Sequence, residues 1–334
     1  MKIYKSALFD DFRCIAGACT DSCCKEWSVT VDPEAADIYR NLPGDLGDRL
    51  RQVLAEEDGD TIMVIEDGRC PMWQQDGLCR IQAQLGHDAL CKTCREFPRL
   101  THDYGDFVEL GLELSCPEAA RMILSSPIEP AVVVDAPGGE EPDYDSWDMD
   151  ILQRTRQEAL EILKLDRPVN EILAIILMYG YHAQSLLDGA DGLTFDVDAA
   201  LEEAKNFAKP ADPVDILDFF RDLEILGQEW KDRLDDPKFG VWDAKHLRLA
   251  GYFLERYWLQ AISDFDLVGR VKFALISCLA IKILGGDLTQ TAQRYSKEIE
   301  NDPDNVDALL DGAYTAPAFT DDKLLGLFLL EDQP

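Results

Sequence analysis

Basic residues are scarce in this chain. Thirty-two lysines and arginines stand against 65 aspartates and glutamates, a formal net charge of −33 at pH 7. A field of that sign repels phosphate backbones and excludes sequence-independent nucleic-acid binding. It attracts basic partners, lysine-bearing substrates among them, and equally serves to keep a surface solvated. Histidine is scarcer still. His87, His102, His182 and His246 are the only four, and of these only His87, four residues before Cys91, stands where a metal ligand or a turn residue would. Long hydrophobic runs are missing. Phe273 to Ile281 is too short to span a bilayer and is flanked by Lys272 and Lys282, so no transmembrane segment is expected, and peripheral membrane contact stays open. The start, MKIYKSALFDDFRC, has no apolar h-region and no small-residue cleavage site. The expectation is therefore no secretory signal and a cytoplasmic location.

Several enzyme signatures are absent too. No G-x-G-x-x-G follows a strand, which removes a dinucleotide or glycine-rich adenosylmethionine loop of the doubly wound kind. There is no P-loop. Cys19-x3-Cys23 begins the C-x3-C-x2-C triplet of radical adenosylmethionine enzymes, but residue 26 is glutamate.

Sulfur, in contrast, is crowded. Nine of ten cysteines lie between residues 14 and 116, and only Cys278 lies beyond. A chain of 334 residues buries a large core without covalent staples, and in a reducing cytosol clustered thiols bind metal more often than they pair. The groups are Cys14-x4-Cys19-x3-Cys23-Cys24, Cys70-x8-Cys79 and Cys91-x2-Cys94, with Cys116 apart. Two cysteines separated by two residues can aim both sulfurs at one metal from a tight turn. The expected ligands are Cys14, Cys19, Cys23, Cys24, Cys70, Cys79, Cys91 and Cys94, of which at least four should converge. Such a soft donor set suits zinc or iron–sulfur and not magnesium or calcium. Spacing leaves zinc and iron, and one centre or two, equally open.

The chain divides by composition. Residues 1–126 read as an irregular cysteine-rich metal-binding region with short strands: Trp27–Val31, Thr61–Glu66 and Phe107–Leu114 are the candidates. Asp32-Pro33 starts a helix through Tyr39, and Ser115-Cys116-Pro117 starts another. Residues 127–146, rich in proline, glycine and acid, read as a linker or surface loop. Residues 147–334 read as an all-helical domain, so the fold class is mainly α. Within it Ile172–Leu187 is apolar nearly all round. Helical stripes run through Ile216, Phe219, Phe220, Leu223, Leu226 and Trp230, through Leu249 to Leu259, and through Val268 to Leu284. Asp287, Asp302 and Asp321 stand in N-cap positions.

Three stretches together resemble the flagellin lysine N-methylase family, a branch of the wider cysteine-cluster proteins described as zinc- or iron-chelating. The first runs from Phe12-x-Cys14 through Cys19-x-Asp21-x-Cys23-Cys24-x-x-Trp27. The second, the most specific, is Gly77-Leu78-Cys79-Arg80-Ile81-Gln82, Leu85-Gly86, Leu90-Cys91-x-Thr93-Cys94 and Phe97-Pro98-Arg99. The third is Glu113-Leu114-Ser115-Cys116-Pro117-Glu118-Ala119-Ala120-Arg121, with a weaker echo in Tyr295-Ser296-x-Glu298-Ile299-Glu300 and Asn305. The resemblance implies methyl transfer from S-adenosylmethionine to a lysine side-chain nitrogen, on a protein such as flagellin. It also implies an oxygen-sensitive [4Fe-4S] cluster held by the cysteines. Glu298 and Glu300 are then candidates to favour the neutral amine, against a solvated helix face as the plain alternative. Tyr295 and Tyr252 are candidates to face a sulfonium, against core packing. Two further readings stand beside this one: a non-catalytic cysteine-cluster protein binding structural zinc or iron, and an acidic helical domain that docks a basic partner.

Overall fold

A computed structural model describes residues 1–57 and 59–330. The first third alternates short pieces: β1 (Lys2–Lys5), β2 (Val29–Thr30), α1 (Pro33–Asn41), α2 (Gly44–Val53), β3 (Leu54–Glu57), β4 (Asp60–Met63), α3 (Arg80–Leu85), α4 (Lys92–Glu96), β5 (Arg99–Asp103), β6 (Phe107–Leu112), α5 (Pro117–Ser125) and β7 (Val132–Asp135). After residue 146 every regular element among the described residues is helical. These are α6 (Ser146–Ile162), α7 (Val169–Leu187), α8 (Val197–Phe207), α9 (Pro213–Arg221), α10 (Gln228–Asp235), α11 (Ala244–Tyr257), α12 (Leu267–Leu284), α13 (Leu288–Tyr295), α14 (Pro303–Thr315) and α15 (Asp321–Leu329). The chain is thus mainly α.

Packing divides the molecule differently from composition. One apolar core gathers Phe12, Phe107, Leu112 and α5 together with the helices from α6 onward. A second, smaller core belongs to residues 29–91, where Val29, Tyr39, Leu50, Met72 and Ile81 meet. The result is a thiol-bearing lobe set on a helical body, and the body begins with β1. β1 runs parallel to β6 and antiparallel to β7, in the order β5-β6-β1-β7. The segment 127–146, expected as linker or loop, therefore carries an edge strand. Val132–Val134 was easy to miss because its three valines stay exposed.

Local signals account for most boundaries. Asp32 caps α1 by accepting from the Ala35 amide at 3.1 Å, and its other oxygen accepts from the Lys92 amide at 2.6 Å. One cap thus also ties α1 to the Cys91–Cys94 turn. α12 is buried along its whole length and stops at Gly285, whose φ of +66° only glycine adopts without strain. Asp287 and Asp302 cap α13 and α14. Asp321 does not cap: Thr320 holds that position, and the Asp321 carboxylate pairs instead with Lys272 at 3.0 Å. The strand expected over Trp27–Val31 pairs only at Val29–Thr30, and that over Thr61–Glu66 only at Asp60–Met63. The stripe from Ile216 to Trp230 splits into α9 and α10, because residues 222–227 are tethered elsewhere. No helix among the described residues is long and apolar enough to cross a membrane.

Candidate catalytic and metal-binding site

All ten cysteines are free thiols. Cys14 and Cys19 bracket a 3-10 turn at Ala16–Ala18. Gly17 and Gly77 hold that turn close to the Cys70–Cys79 segment: a Cβ on Gly77, where φ is +81°, would sit 3.2 Å from Gly17 Cα. The Cys70 amide donates to Cys24 O at 2.8 Å, which brings the second group to the first. Cys79, Cys91 and Cys116 are the N-cap residues of α3, α4 and α5, where first-turn amides favour a thiolate.

The sulfurs meet. Cys24 is pushed toward thiolate by hydrogen bonds from the thiols of Cys23 and Cys70, and those two are pushed the other way. Cys91 is likewise lowered by its hydrogen bond with Cys94, whose own thiol is raised. Cys79 is raised by burial and feels the charges of Cys24 and Cys91. Cys14, Cys19 and Cys116 form a second, looser neighbourhood in which burial raises Cys19 and Cys116, the latter to about 11. Cys278 stands alone inside α12. His87 lies exposed in a 3-10 turn beside Asp88. The donor chemistry therefore suits a thiophilic centre, yet among the described residues no three His, Cys, Asp or Glu side chains stand in coordinating geometry.

The cysteine turn is seated on a buried polar assembly of the helical body. After α13 the chain makes one π-helical turn, Ser296–Glu300, a distortion often found at functional positions. Every residue of that turn is buried, against the plain alternative of a solvated acidic face. Lys297, only 2% exposed, reaches Glu26 at 3.0 Å and Asp21 at 3.3 Å. Its ammonium lies 4.7 Å from the Trp27 ring centroid. Arg294 bonds Glu26 at 2.6 Å and Glu229 at 2.7 Å. Gln293 bridges Asp21 at 3.1 Å and the Ser115 carbonyl at 2.8 Å. Although burial opposes ionisation of Asp21 and Glu26, these cations hold both carboxyls below their ordinary range. Buried charges are tolerated only when paired in this way.

The four weak candidates separate. Glu298 is 1% exposed; its Oε2 accepts from the Leu226 amide at 2.8 Å, while Oε1 is buried with no hydrogen-bond partner. Burial pushes its carboxyl up to about 7. Asn305 fixes the turn, donating to the carbonyls of Glu298 and Glu224 at 3.0 Å. Glu300 is fully engaged by Arg256 at 3.1 Å and by the hydroxyls of Tyr257 and Tyr252 at 3.0 and 3.2 Å. Tyr295 is walled into the aromatic core with Phe220, Trp230 and Phe253, and its hydroxyl meets Ser277. Tyr252 lies at the edge of a cavity in the body. Nothing local in the sequence singles out Gln293, Arg294 or Lys297. The one signal pointing to their partners was Asp21, which lies within the cysteine motif.

No family model matches the chain, and no solved structure matches it. Among curated proteins the chain is 32% identical over 136 residues to the flagellar biosynthetic protein FliU of Salmonella muenchen. That match takes in 37% of this chain and 78% of the relative. Two proteins named lysine-N-methylase, from Salmonella choleraesuis and Salmonella typhimurium, are each 33% identical over 132 residues. The chain belongs to the flagellin lysine N-methylase family. The match to each of those two N-methylases covers 37% of this chain and 33% of theirs, so the chain spans about a third of their length.

Proposed function

We propose that the protein transfers a methyl group from S-adenosylmethionine to a lysine side-chain nitrogen of a protein substrate, flagellin first among candidates. The observation that carries this reading is the seating of the turn from Asp21 to Glu26 on an assembly that holds the buried carboxylate of Glu298, whose Oε1 makes no hydrogen bond and lies 3.9 Å from the Arg294 guanidinium. The likeness to proteins named lysine-N-methylase supplies the reaction class. In the transfer the amine lone pair attacks the methyl carbon. An N–C bond forms as the C–S bond breaks, and the electron pair stays on sulfur, leaving S-adenosylhomocysteine. The lysine must first shed its ammonium proton. A carboxylate whose pKa sits at about 7 is matched to that task. Tyr252 and Arg256 hold Glu300, and Asn305 holds the Glu298 backbone, so the base candidate sits on a fixed turn.

Four of Cys14, Cys19, Cys23, Cys24, Cys70, Cys79, Cys91 and Cys94 would hold a [4Fe-4S] cluster within this reading, with Cys24 and Cys91 already biased toward thiolate. When bound, such a cluster supplies a redox-capable or structural iron centre. The test is anaerobic incubation of the metal-loaded protein with S-adenosylmethionine and flagellin, read by peptide mass spectrometry. Methylated lysines are expected. A loaded protein that methylates no lysine on flagellin or on a lysine-rich control protein overturns the reading.

A further inference from the structure

Between the sheet and the helices of the body lies a cavity of about 480 Å³. Its floor is one face of the sheet. Glu109 on β6 stands opposite Tyr4 on β1 and His102 on β5, and Gly111 stands opposite Leu100. The two-residue period of a strand puts all five on the same side, and all five line the cavity. Its roof is α6 and α11, through Arg156, Arg248, Tyr252 and Arg256, and residues 126–131 form a rim.

The charges around this space are unevenly used. Arg156 pairs with Glu109 at 3.0 Å, Arg248 with Glu255 at 3.1 Å, Arg256 with Glu300 at 3.1 Å, and Lys164 with Glu161 at 2.8 Å. Among the described residues, the charged groups of the lining left without a pairing partner are Asp11 and Glu129, both acidic. The Gln153 amide has no partner either. Gly111 adds a second observation. It sits in the interior of β6, where glycine weakens a strand, and a Cβ built there meets nothing within 4 Å. Such a glycine often marks a place where a ligand comes close to the backbone. Apolar walls from Leu8, Leu100, Ile123 and Ile128 complete the space. Its volume falls within the roughly 300–1,000 Å³ range of small-molecule pockets, far more than one lysine side chain fills.

We propose that this cavity is the methyl-donor site, taking a cationic nucleoside–amino-acid sulfonium, S-adenosylmethionine. The proposal rests on the methyl-transfer reading. The apolar walls take the nucleoside, the Arg248–Glu255 pair offers both charges to the zwitterionic amino-acid head, and the spare carboxylates at the rim favour the positive sulfonium. Tyr252 and Arg256 are shared by the cavity wall and by Glu300, so the donor lies across one layer of side chains from the π-helical turn.

The test is calorimetric titration of the full chain with S-adenosylmethionine, with Nα-acetyl-lysine amide as the control for a lysine-type cation. Gly111→Leu fills the cavity from a backbone position with room for it, and should weaken S-adenosylmethionine at least about tenfold while metal content and melting temperature stay put. Glu129→Gln, at the exposed rim, should weaken it about threefold. Hydrogen exchange on the wild type with S-adenosylmethionine should slow at residues 99–112 and 244–257. If the wild type binds S-adenosylmethionine, Gly111→Leu is folded and binds it equally well, and no protection appears there, the cavity is not the donor site and the methyl-transfer reading survives. Binding of the lysine amide alone would overturn the choice of ligand. No binding of S-adenosylmethionine at all would bring down the methyl-donor reading and this site together.

Discussion

The lobe and the body solve the same problem with different means. The body buries α7 and α12, 19 and 18 residues long, inside a continuous apolar core. The lobe has helices of no more than ten residues, two- to four-residue strands and a small core that two cysteines help to fill. A unit of that size buries too little apolar surface to be robust by itself. Its order leans on the ion pairs that moor it to Arg294 and Lys297 and, on the proposed reading, on metal bound by its thiols. The body should therefore tolerate loss of metal, while the lobe should not.

The largest effect that would sharpen this contrast comes from Cys91→Ser or Cys94→Ser. Either should abolish methyl transfer and lower metal content together, because a hydroxyl replaces a thiolate ligand poorly. Hydrogen exchange should rise across residues 13–98 and stay slow in α7 and α12. A variant that loses metal but keeps full transfer would leave the centre only a structural support.

In the body, Phe273→Ala removes a ring packed on Phe253 and Tyr257. It should cost about 3–5 kcal/mol of global stability, read by denaturant melts, with metal content per folded chain unchanged. At the seam, Lys297→Ala removes one of the two cations that Asp21 and Glu26 share and leaves them to Arg294. The expected cost is about 3 kcal/mol, and the lobe should open before the body, so that unfolding splits into two transitions. A single unsplit transition would contradict the division.

Glu298 gives a pH signature with a definite sign. Its carboxyl titrates near 4.5 in the unfolded chain and at about 7 in the fold. Between those values the folded protein keeps a proton that the unfolded chain releases. The associated stability is complete below about 4.5 and lost as pH rises through about 7, by up to about 3 kcal/mol. Relative to Glu298→Gln, the wild type should thus lose stability from pH 5 to pH 8; parallel curves would mean Glu298 is ionised throughout. The smallest expected effect is electrostatic. Methylation of a lysine-bearing substrate should slow as salt rises, because screening at about 0.15 M cuts the field beyond roughly 8 Å. A rate flat in salt would leave the −33 charge a solubility feature.

The body was the more legible half. Periodicity placed α7, α11 and α12 because burying an apolar stripe dominates helix choice, and Asp287 and Asp302 marked the starts of α13 and α14. β1 and β7 were missed because a four-residue strand such as Lys2–Lys5 owes its existence to partners a hundred residues away, and the exposed valines of β7 carry no period-2 signal. The crowding of the cysteines pointed to a thiophilic site, and the fold brings their segments together without coordinating geometry among the described residues. The buried pairs of Lys297 and Arg294 could not be seen, because a charged residue on a helix reads as solvated until its partners are known, and Asp21 and Glu26 lie more than 260 residues upstream. The cavity was invisible for a related reason: its lining comes from distant segments, residues 4–11, 100–133, 153–164 and 248–256, and only Gly111, a glycine inside a strand pattern, gives a local hint.

The most direct test of the account is iron, sulfide and zinc analysis on one anaerobically purified sample, with S-adenosylmethionine binding measured on the same material. The account predicts a brown protein absorbing broadly near about 400 nm, with about four iron and four sulfide per chain, little zinc, and saturable S-adenosylmethionine binding. A colourless protein with stoichiometric zinc, no sulfide and no binding would contradict it.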